Sequence, residues 1–365
     1  MQLGTIARQR LLNQRLLAST LRHPAEVVAW LGAAQAQDYA GAKWSLGMRL
    51  DSAAAVISDA AVEQAIDAGA ILRTHVLRPT WHFVAPADIR WLLALTAPRV
   101  HRLNAPYYSR VGLDDDLYAR AAAVIAEALR GNVYLTRDEL RKALDRAHIA
   151  ANVELLMIYI LMRAELDGLI CSGPRRGKQF TYALLDERVP ATVALGREEA
   201  LAELARRYYT SHGPATAHDL ARWASLTLED VRAGLAANAS HLQSEEVEGQ
   251  MYWYDPTLPP AVASSGGEPI AYLLSIYDEY VIGYKEWSAI VNAEDAGRLR
   301  SLANDLTSVV LVDGRIVGTW KRAIDRRRVT VTLRPLRPLN PTEMDAVAAA
   351  ANQMGAFLNL PATLA

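Results

Sequence analysis

The chain has 365 residues, about twice the length of a typical domain, so more than one structural unit is expected. Hydrophobic residues at 51% and charged residues at 22% exclude a disordered, collagen-like or coiled-coil chain. A net charge of −1 excludes uniform positive charge as a means of gripping nucleic acid.

The one cysteine, Cys171, excludes an internal disulfide framework and an all-cysteine zinc site, and it suits a reducing cytoplasm. No uncharged apolar run approaches the roughly 20 residues that cross a bilayer. Arg8, Arg10, Arg15 and Arg22 stand without the apolar core of a secretory signal. The expectation is a cytoplasmic bacterial protein, monomeric and without a membrane partner.

In chain order, Pro24 to Gln35 and Val62 to Ala68 have helical spacing. Ile71 to Val76 and Thr80 to Val84 are expected as strands turning at Arg78-Pro79. Pro86, at a first turn, opens a helix through Trp91, Leu92 and Leu95. Thr136-Arg-Asp-Glu139 is a capping box for the next helix, and Asn152 to Leu166 is apolar at helical spacing up to Asp167-Gly168. Leu169 to Cys171 and Gln179 to Leu184 follow as strands around the basic tip Gly173 to Lys178. Two helices followed by a basic-tipped hairpin is the winged-helix pattern.

The same order recurs between Arg197 and Tyr254. A helix runs to about Tyr209, Thr216-Ala-His-Asp219 and Thr227-Leu-Glu-Asp230 start two short helices, and Leu242 to Tyr254 reads as a hairpin. The Pro- and Gly-rich stretch Asp255 to Gly267 is the best linker. Beyond it, Ile270 to Ile276, Ser308 to Val312, Arg315 to Lys321 and Arg328 to Leu333 cluster β-formers, with Asp313-Gly314 as a two-residue turn. A helix from about Thr342 closes the chain. The fold class is therefore α+β: tandem winged-helix modules over 1–110, 111–190 and 191–258, then a β-domain with a closing helix over 259–365.

Charge is segregated. Ile71 to Arg110 carries six arginines against Asp88, and Asp313 to Arg337 carries eight basic residues against Asp313 and Asp325. These segments hold +5 and +6, leaving −12 for the remainder. Clustered cations are what releases counterions from a phosphate backbone, although solvated strand faces give the same composition.

Several chemistries are absent: no phosphate-binding Gly-rich loop followed by Lys-Ser/Thr, no nucleophile elbow, no His-Glu-x-x-His, and no metal-ligand spacing among the eight histidines. His75 and His82 lie on two arms of one hairpin, where they could face each other or a phosphate; a hydrogen-bonded structural histidine is the commoner case. Gln35 and Gln37, in Ala33-Ala-Gln-Ala-Gln-Asp-Tyr39, share a face only where the chain is extended. Taken alone they read as a solvated surface.

Gln35-Ala-Gln37-Asp38-Tyr39, Arg73-Thr-His75-Val-Leu-Arg78-Pro-Thr-Trp-His82-Phe-Val-Ala-Pro86, Tyr277-Asp-Glu-Tyr280 with Gly283-Tyr-Lys285, and Val312-Asp-Gly-Arg-Ile-Val-Gly-Thr-Trp320 occur in one order. Together they resemble the AlkZ/YcaQ-like winged-helix DNA glycosylases, over about Arg10 to Leu339. The resemblance implies a C-shaped molecule around a basic channel for duplex DNA. It also implies excision of alkylated purines, of the N7-alkylguanine type, with interstrand crosslinks as substrates of some members, in DNA repair or self-resistance.

Gln35 and Gln37 match the Gln-x-Gln branch and are the implied catalytic pair. The enzyme would be monofunctional, without metal or cofactor, and Asp38 is an alternative group for activating water. Arg73, His75, Arg78, His82, Lys285, Arg326, Arg327 and Arg328 are candidate DNA contacts. Asp278 and Glu279 are expected to hold a buried arginine, and Trp81 and Tyr280 to belong to the core. Pro79 departs from the glycine expected in an Arg-Gly-Thr turn and stiffens it. The competing reading of tandem winged helices is a non-catalytic DNA-binding regulator.

Overall fold

The computed structural model describes every residue except 1, 54–56, 150–152, 193, 262–266 and 303–307. Helix α1 (Leu3–Asn13) precedes α2 (Pro24–Leu31), where Pro24 fills the first turn and the Glu26 carboxylate accepts the His23 N–H at 3.1 Å. The helical spacing predicts α2 as far as Gln35, but it stops at Leu31. Gly32 turns left-handed at φ +82°, a conformation that only glycine adopts without strain, and the chain leaves as strand β1 (Ala34–Gln35).

Helices α3 (Tyr39–Gly47) and α4 (Asp59–Asp67) follow, then strands β2 (Leu72–His75) and β3 (Trp81–Val84). The three strands form an antiparallel sheet in the order β1-β3-β2, with Gln35 opposite His82 and His75 opposite Trp81. Helix α5 (Ile89–Arg110) begins three residues beyond the predicted Pro86 start.

After α6 (Asp115–Leu129) and β4 (Leu135–Thr136), helix α7 (Arg137–Arg146) opens on the predicted capping box. The Glu139 carboxylate accepts the Thr136 N–H at 2.8 Å and the Thr136 hydroxyl accepts the Glu139 N–H at 3.3 Å. Helix α8 (Glu154–Leu166) leads into β5 (Ile170–Ser172) and β6 (Thr181–Leu184), which pair with β4 in the order β4-β6-β5. The predicted first residue of α8, Asn152, lies outside the described residues.

Helix α9 (Leu185–Arg188) leads to α10 (Arg197–Ser211), α11 (Ala217–Trp223) and α12 (Leu228–Ala237). The last two start on the Thr216 and Thr227 boxes, as the spacing predicts. Strands β7 (Gln243–Val247) and β8 (Gln250–Tyr254) form the expected hairpin. Part of the predicted linker, 262–266, lies outside the described residues.

Strand β9 (Ala271–Leu274), helices α13 (Glu279–Ile282) and α14 (Ala293–Leu302), then β10 (Val309–Val312), β11 (Arg315–Ile324) and β12 (Val329–Pro335) follow. Asp313 and Gly314 both take positive φ, +49° and +83°, as a primed two-residue hairpin requires. Helix α15 (Pro341–Leu358) closes the sheet. The tail beyond it adds β13 (Ala362–Leu364) parallel to β12, giving the order β13-β12-β11-β10-β9.

The cores cross the units drawn from sequence. One cluster joins Leu72, Val76 and Leu92 to Cys171, Leu204, Tyr208, Trp223 and Tyr284. Another joins Val28, Leu31 and Phe83 to Leu273, Val310, Trp320 and Phe357. The first hundred residues are thus packed on two sides, against α10–α11 and against the C-terminal sheet. Among the described residues no helix is long and apolar enough to cross a membrane.

Asp278 holds a buried arginine, as expected from sequence. Its two oxygens accept from Arg49 Nη1 at 2.9 Å and Nη2 at 2.8 Å, and neither side chain is exposed. Ser45 Oγ donates to the same carboxylate at 2.6 Å, and Gln14 Oε1 accepts from Arg49 Nη2 at 2.9 Å. The pair fastens the end of α3 to the start of α13. Asp278→Ala leaves the guanidinium charge buried without its counter-charge, so it should cost about 3–5 kcal/mol in urea denaturation. A loss below about 1 kcal/mol would contradict this role.

Candidate active site

The extended segment after Gly32 puts Gln35 and Gln37 on one face, as alternation along a strand requires. The peptide between them is fixed by Ala36 N–H, which donates to Trp81 O at 2.7 Å. Both amides converge on the start of β3: Gln35 Nε2 donates to Thr80 Oγ1 at 3.1 Å, and Gln37 Oε1 lies 3.4 Å from Trp81 N. Gln37 is exposed; Gln35 is only 9% exposed, and its Oε1 is buried with no hydrogen-bond partner in the protein.

Asp38 follows as the N-cap residue of α3, half-buried. A Cβ on Gly41 would come within 2.6 Å of Asp38 Oδ2 and 2.8 Å of Ser275 Cβ, so only glycine lets the carboxylate fold back over α3.

The backbone of Gln35 is held from the other side. β1 is an edge strand, and its outward N–H would be unpaired in the sheet. Glu279 Oε1 accepts it at 2.7 Å, Glu279 Oε2 accepts Trp223 Nε1–H at 2.7 Å, and the side chain is 1% exposed. Burial pushes the Glu279 carboxyl up, but His212, Arg78 and the Gln35 N–H together bring it down to about 2, so it is an anion at any working pH.

A wall of cations and aromatic rings stands beside the amides. Arg73 is 8% exposed; its Nε donates to Ala36 O at 3.1 Å, and its guanidinium lies 4.3 Å from the Trp81 ring centre and 4.6 Å from that of Phe180. Tyr39 meets Phe180 edge-on at 4.9 Å and donates to Glu63 Oε1 at 2.8 Å. Burial raises the Glu63 carboxyl, and the bonds from Lys43 and Tyr39 more than offset that, leaving it below the usual range. Arg175, from the loop between β5 and β6, reaches Glu63 at 3.3 Å. The backbone N–H of Arg73 donates to Ser172 Oγ at 2.8 Å, so the second hairpin is tied directly to the sheet that carries Gln35.

The other candidates divide into two groups. His75 is 3% exposed, bonded through Nδ1 to Glu165, with its ring tilted against Trp81 at 4.4 Å between centres. His82 is fully buried, and its Nδ1 lies 2.9 Å from Thr80 O while Nε2 faces Arg78 Nη2 at 3.4 Å. A proton on Nδ1 and a lone pair on Nε2 satisfy both contacts, so the ring is neutral. Burial, then the Arg78 charge, takes His82 down to about 3. Arg78 is itself lowered by burial, against the pull of Glu279. In this conformation Arg73, His75 and His82 support the site from within.

Lys285, Arg326, Arg327 and Arg328 are exposed. Lys285 lines a cleft of about 880 Å³ with Arg222, Glu248, Trp287 and Arg315. The three arginines form the tip between β11 and β12, where Asp325 Oδ1 accepts the N–H of Arg327 at 2.7 Å.

Tyr280 is core, as expected; its hydroxyl lies 2.8 Å from Gly314 O and 3.0 Å from Ala7 O. Trp81 is only half-buried. Thr80, Phe180 and Arg175 are site residues that the sequence motifs do not assign. Thr80 sits within a segment already singled out, whereas no local pattern marks Phe180, which arrives from a different sheet.

The mixed α+β fold thus brings two amides together beside a wall of cations and rings and carries a separate arginine-tipped hairpin. A family described as DNA glycosylase AlkZ-like matches residues 28–357. The interstrand DNA cross-link repair glycosylase of Streptomyces sahachiroi is 26% identical over 322 residues, covering 86% of this chain and 85% of that one. The solved structure of the Streptomyces sahachiroi DNA glycosylase AlkZ superposes with a TM-score of 0.80 over 100% of both chains, at 23% identity. The chain belongs to the AlkZ-like DNA glycosylase family.

His82 and His212 are both lowered by burial, the former from 6.5 to about 3. The unfolded chain therefore binds protons that the folded one refuses, and stability falls as pH drops below about 6.5. His82 alone should remove about 2 kcal/mol between pH 7 and 5. Thermal unfolding across that range checks this: the loss should be smaller in His82→Asn, and an unchanged slope in that variant would contradict it.

Proposed function

We propose that this glycosylase hydrolyses the N-glycosidic bond of alkylated purines in duplex DNA, N7-alkylguanine among them, and unhooks interstrand crosslinks made through such adducts. A purine alkylated on its ring carries positive charge and leaves readily. The bond from the purine to C1′ breaks with its electron pair passing to the ring, which becomes neutral. Water then adds to the oxocarbenium-like sugar at C1′ and loses its proton to solvent or to Asp38.

What the protein must supply is preorganised negative dipoles rather than a strong acid. Gln35 Oε1, buried and without a protein partner, carries this reading: a carbonyl dipole held desolvated until a cation or a water arrives. Gln37, two residues along on the same face, supplies a second carbonyl at the solvent edge. The crosslink assignment draws on the likeness to a cross-link repair glycosylase together with a site whose second amide stays open to solvent, so that a bulky adduct need not be swallowed.

In the same reading the helix-helix-hairpin units are winged-helix modules over 1–110, 111–190 and 191–258, arranged with the C-terminal unit over 259–365 as a C around the duplex. The exposed cations Arg326, Arg327, Arg328 and Lys285 contact phosphates, Arg78 edges the site, and Arg73, His75 and His82 hold the sheet that presents the glutamines. The protein acts as a monomer in the cytoplasm, with duplex DNA as its partner and no cofactor.

Release of free 7-methylguanine from methylated duplex tests the chemistry. Gln35→Ala and Gln37→Ala should each lose on the order of 100-fold in single-turnover rate with DNA affinity retained. Full activity in the double variant would sink the mechanism. Replacing Arg326, Arg327 and Arg328 by glutamate should weaken DNA binding and flatten its salt dependence by about one logarithmic unit for each phosphate no longer neutralised. Asp116→Lys, on the acidic start of α6, should leave affinity unchanged; equal effects from both would contradict the proposed interface.

A further inference from the structure

The Gln35 side chain is aimed by a backbone that the sheet alone does not hold. β1 has two residues, pairs on one side only, and follows a left-handed glycine. Its outward N–H is taken by Glu279 Oε1 at 2.7 Å. The other oxygen of the same carboxylate is anchored 2.7 Å from Trp223 Nε1, with His212 Nε2 at 3.6 Å. Asp278, one residue earlier, is locked onto Arg49 by two hydrogen bonds, so α13 cannot slide. Glu279 is therefore a fixed post between α11 and the catalytic strand.

We propose that Glu279 is a positioning residue for excision: it takes the edge N–H of Gln35 and thereby sets where Gln35 Oε1 points. The inference rests on the assignment of Gln35 to the chemistry. Two donors, Gln35 N–H and Trp223 Nε1–H, need two acceptors. A carboxylate has both, whereas a glutamine at the same position has a single carbonyl oxygen and must leave one donor facing its own NH₂. With no other partner for the strand edge, the 35–37 segment loses its fixed register towards Thr80.

The test compares the full-length wild type, Glu279→Gln and Glu279→Gln/Trp223→Phe on 7-methylguanine duplex under single-turnover conditions, with DNA affinity measured alongside. Glu279→Gln should excise about 10- to 100-fold more slowly at unchanged affinity. The double variant, in which the one carbonyl is free for Gln35, should regain most of that rate. The Gln35 amide proton in ¹⁵N-glutamine-labelled protein should move upfield in Glu279→Gln and return towards its original position in the double variant.

Wild-type excision by Glu279→Gln, or an unmoved Gln35 amide, overturns the proposal. A double variant as slow as the single one also overturns it, because the charge rather than the bond would then matter. Absence of excision by the wild type would overturn the function on which the inference rests, while the Gln35 resonance would still report on the hydrogen bond itself.

Discussion

A buried carboxylate that accepts a backbone N–H from a two-residue edge strand is the constraint on which this molecule depends. An anion removed from water is costly unless its lone pairs are filled, and Glu279 fills them with one donor from β1 and one from α11. Those bonds and the nearby Arg78 and His212 offset the cost of burying it, and they tie α13, α11 and the strand bearing Gln35 together. Asp278 does the same for the end of α3 through Arg49. Two adjacent acids thus bind the C-terminal unit to the segment that carries both glutamines, and the cores that run across the sequence-defined units follow the same lines.

Charge is divided by depth as well as along the chain. The first basic segment divides: Arg73 is buried against Trp81 and Phe180 and Arg78 faces His82, whereas Arg90 pairs with the exposed Asp186 at 2.9 Å and Arg102 and Arg110 are exposed. Arg73 and Arg78 thus lie against the sheet that carries Gln35. The second segment leaves Arg326, Arg327 and Arg328 exposed at a hairpin tip. A net charge of −1 is compatible with a nucleic-acid enzyme because position and exposure, rather than the total, decide the local field.

The sequence is most legible where local chemistry sets local structure. Capping boxes at Thr136, Thr216 and Thr227, the Asp313-Gly314 turn and the alternating strands of the C-terminal sheet appear where spacing predicts them. It misleads where a single residue overrides a period, as Gly32 does by ending α2 four residues early and freeing β1. Asp278 can be matched to a buried arginine from sequence, but Glu279, expected in the same role, instead holds a peptide N–H, and nothing in its own segment announces that partner. Phe180 and Arg175 reach the site from another hairpin, and such long-range placement leaves no periodic trace.

Central to the proposed chemistry is a neutral amide, Gln35, that works through a carbonyl oxygen held unpaired until the sugar becomes cationic. A crystal structure with duplex DNA carrying a 1-azaribose, a cationic mimic of that sugar, tests it most directly. Gln35 Oε1 is expected within hydrogen-bond distance of the azasugar nitrogen or of the water beside it, with the Gln35 N–H still on Glu279. An azasugar lodged away from Gln35 and Gln37, or a Gln35 amide turned so that Oε1 faces protein, would contradict it.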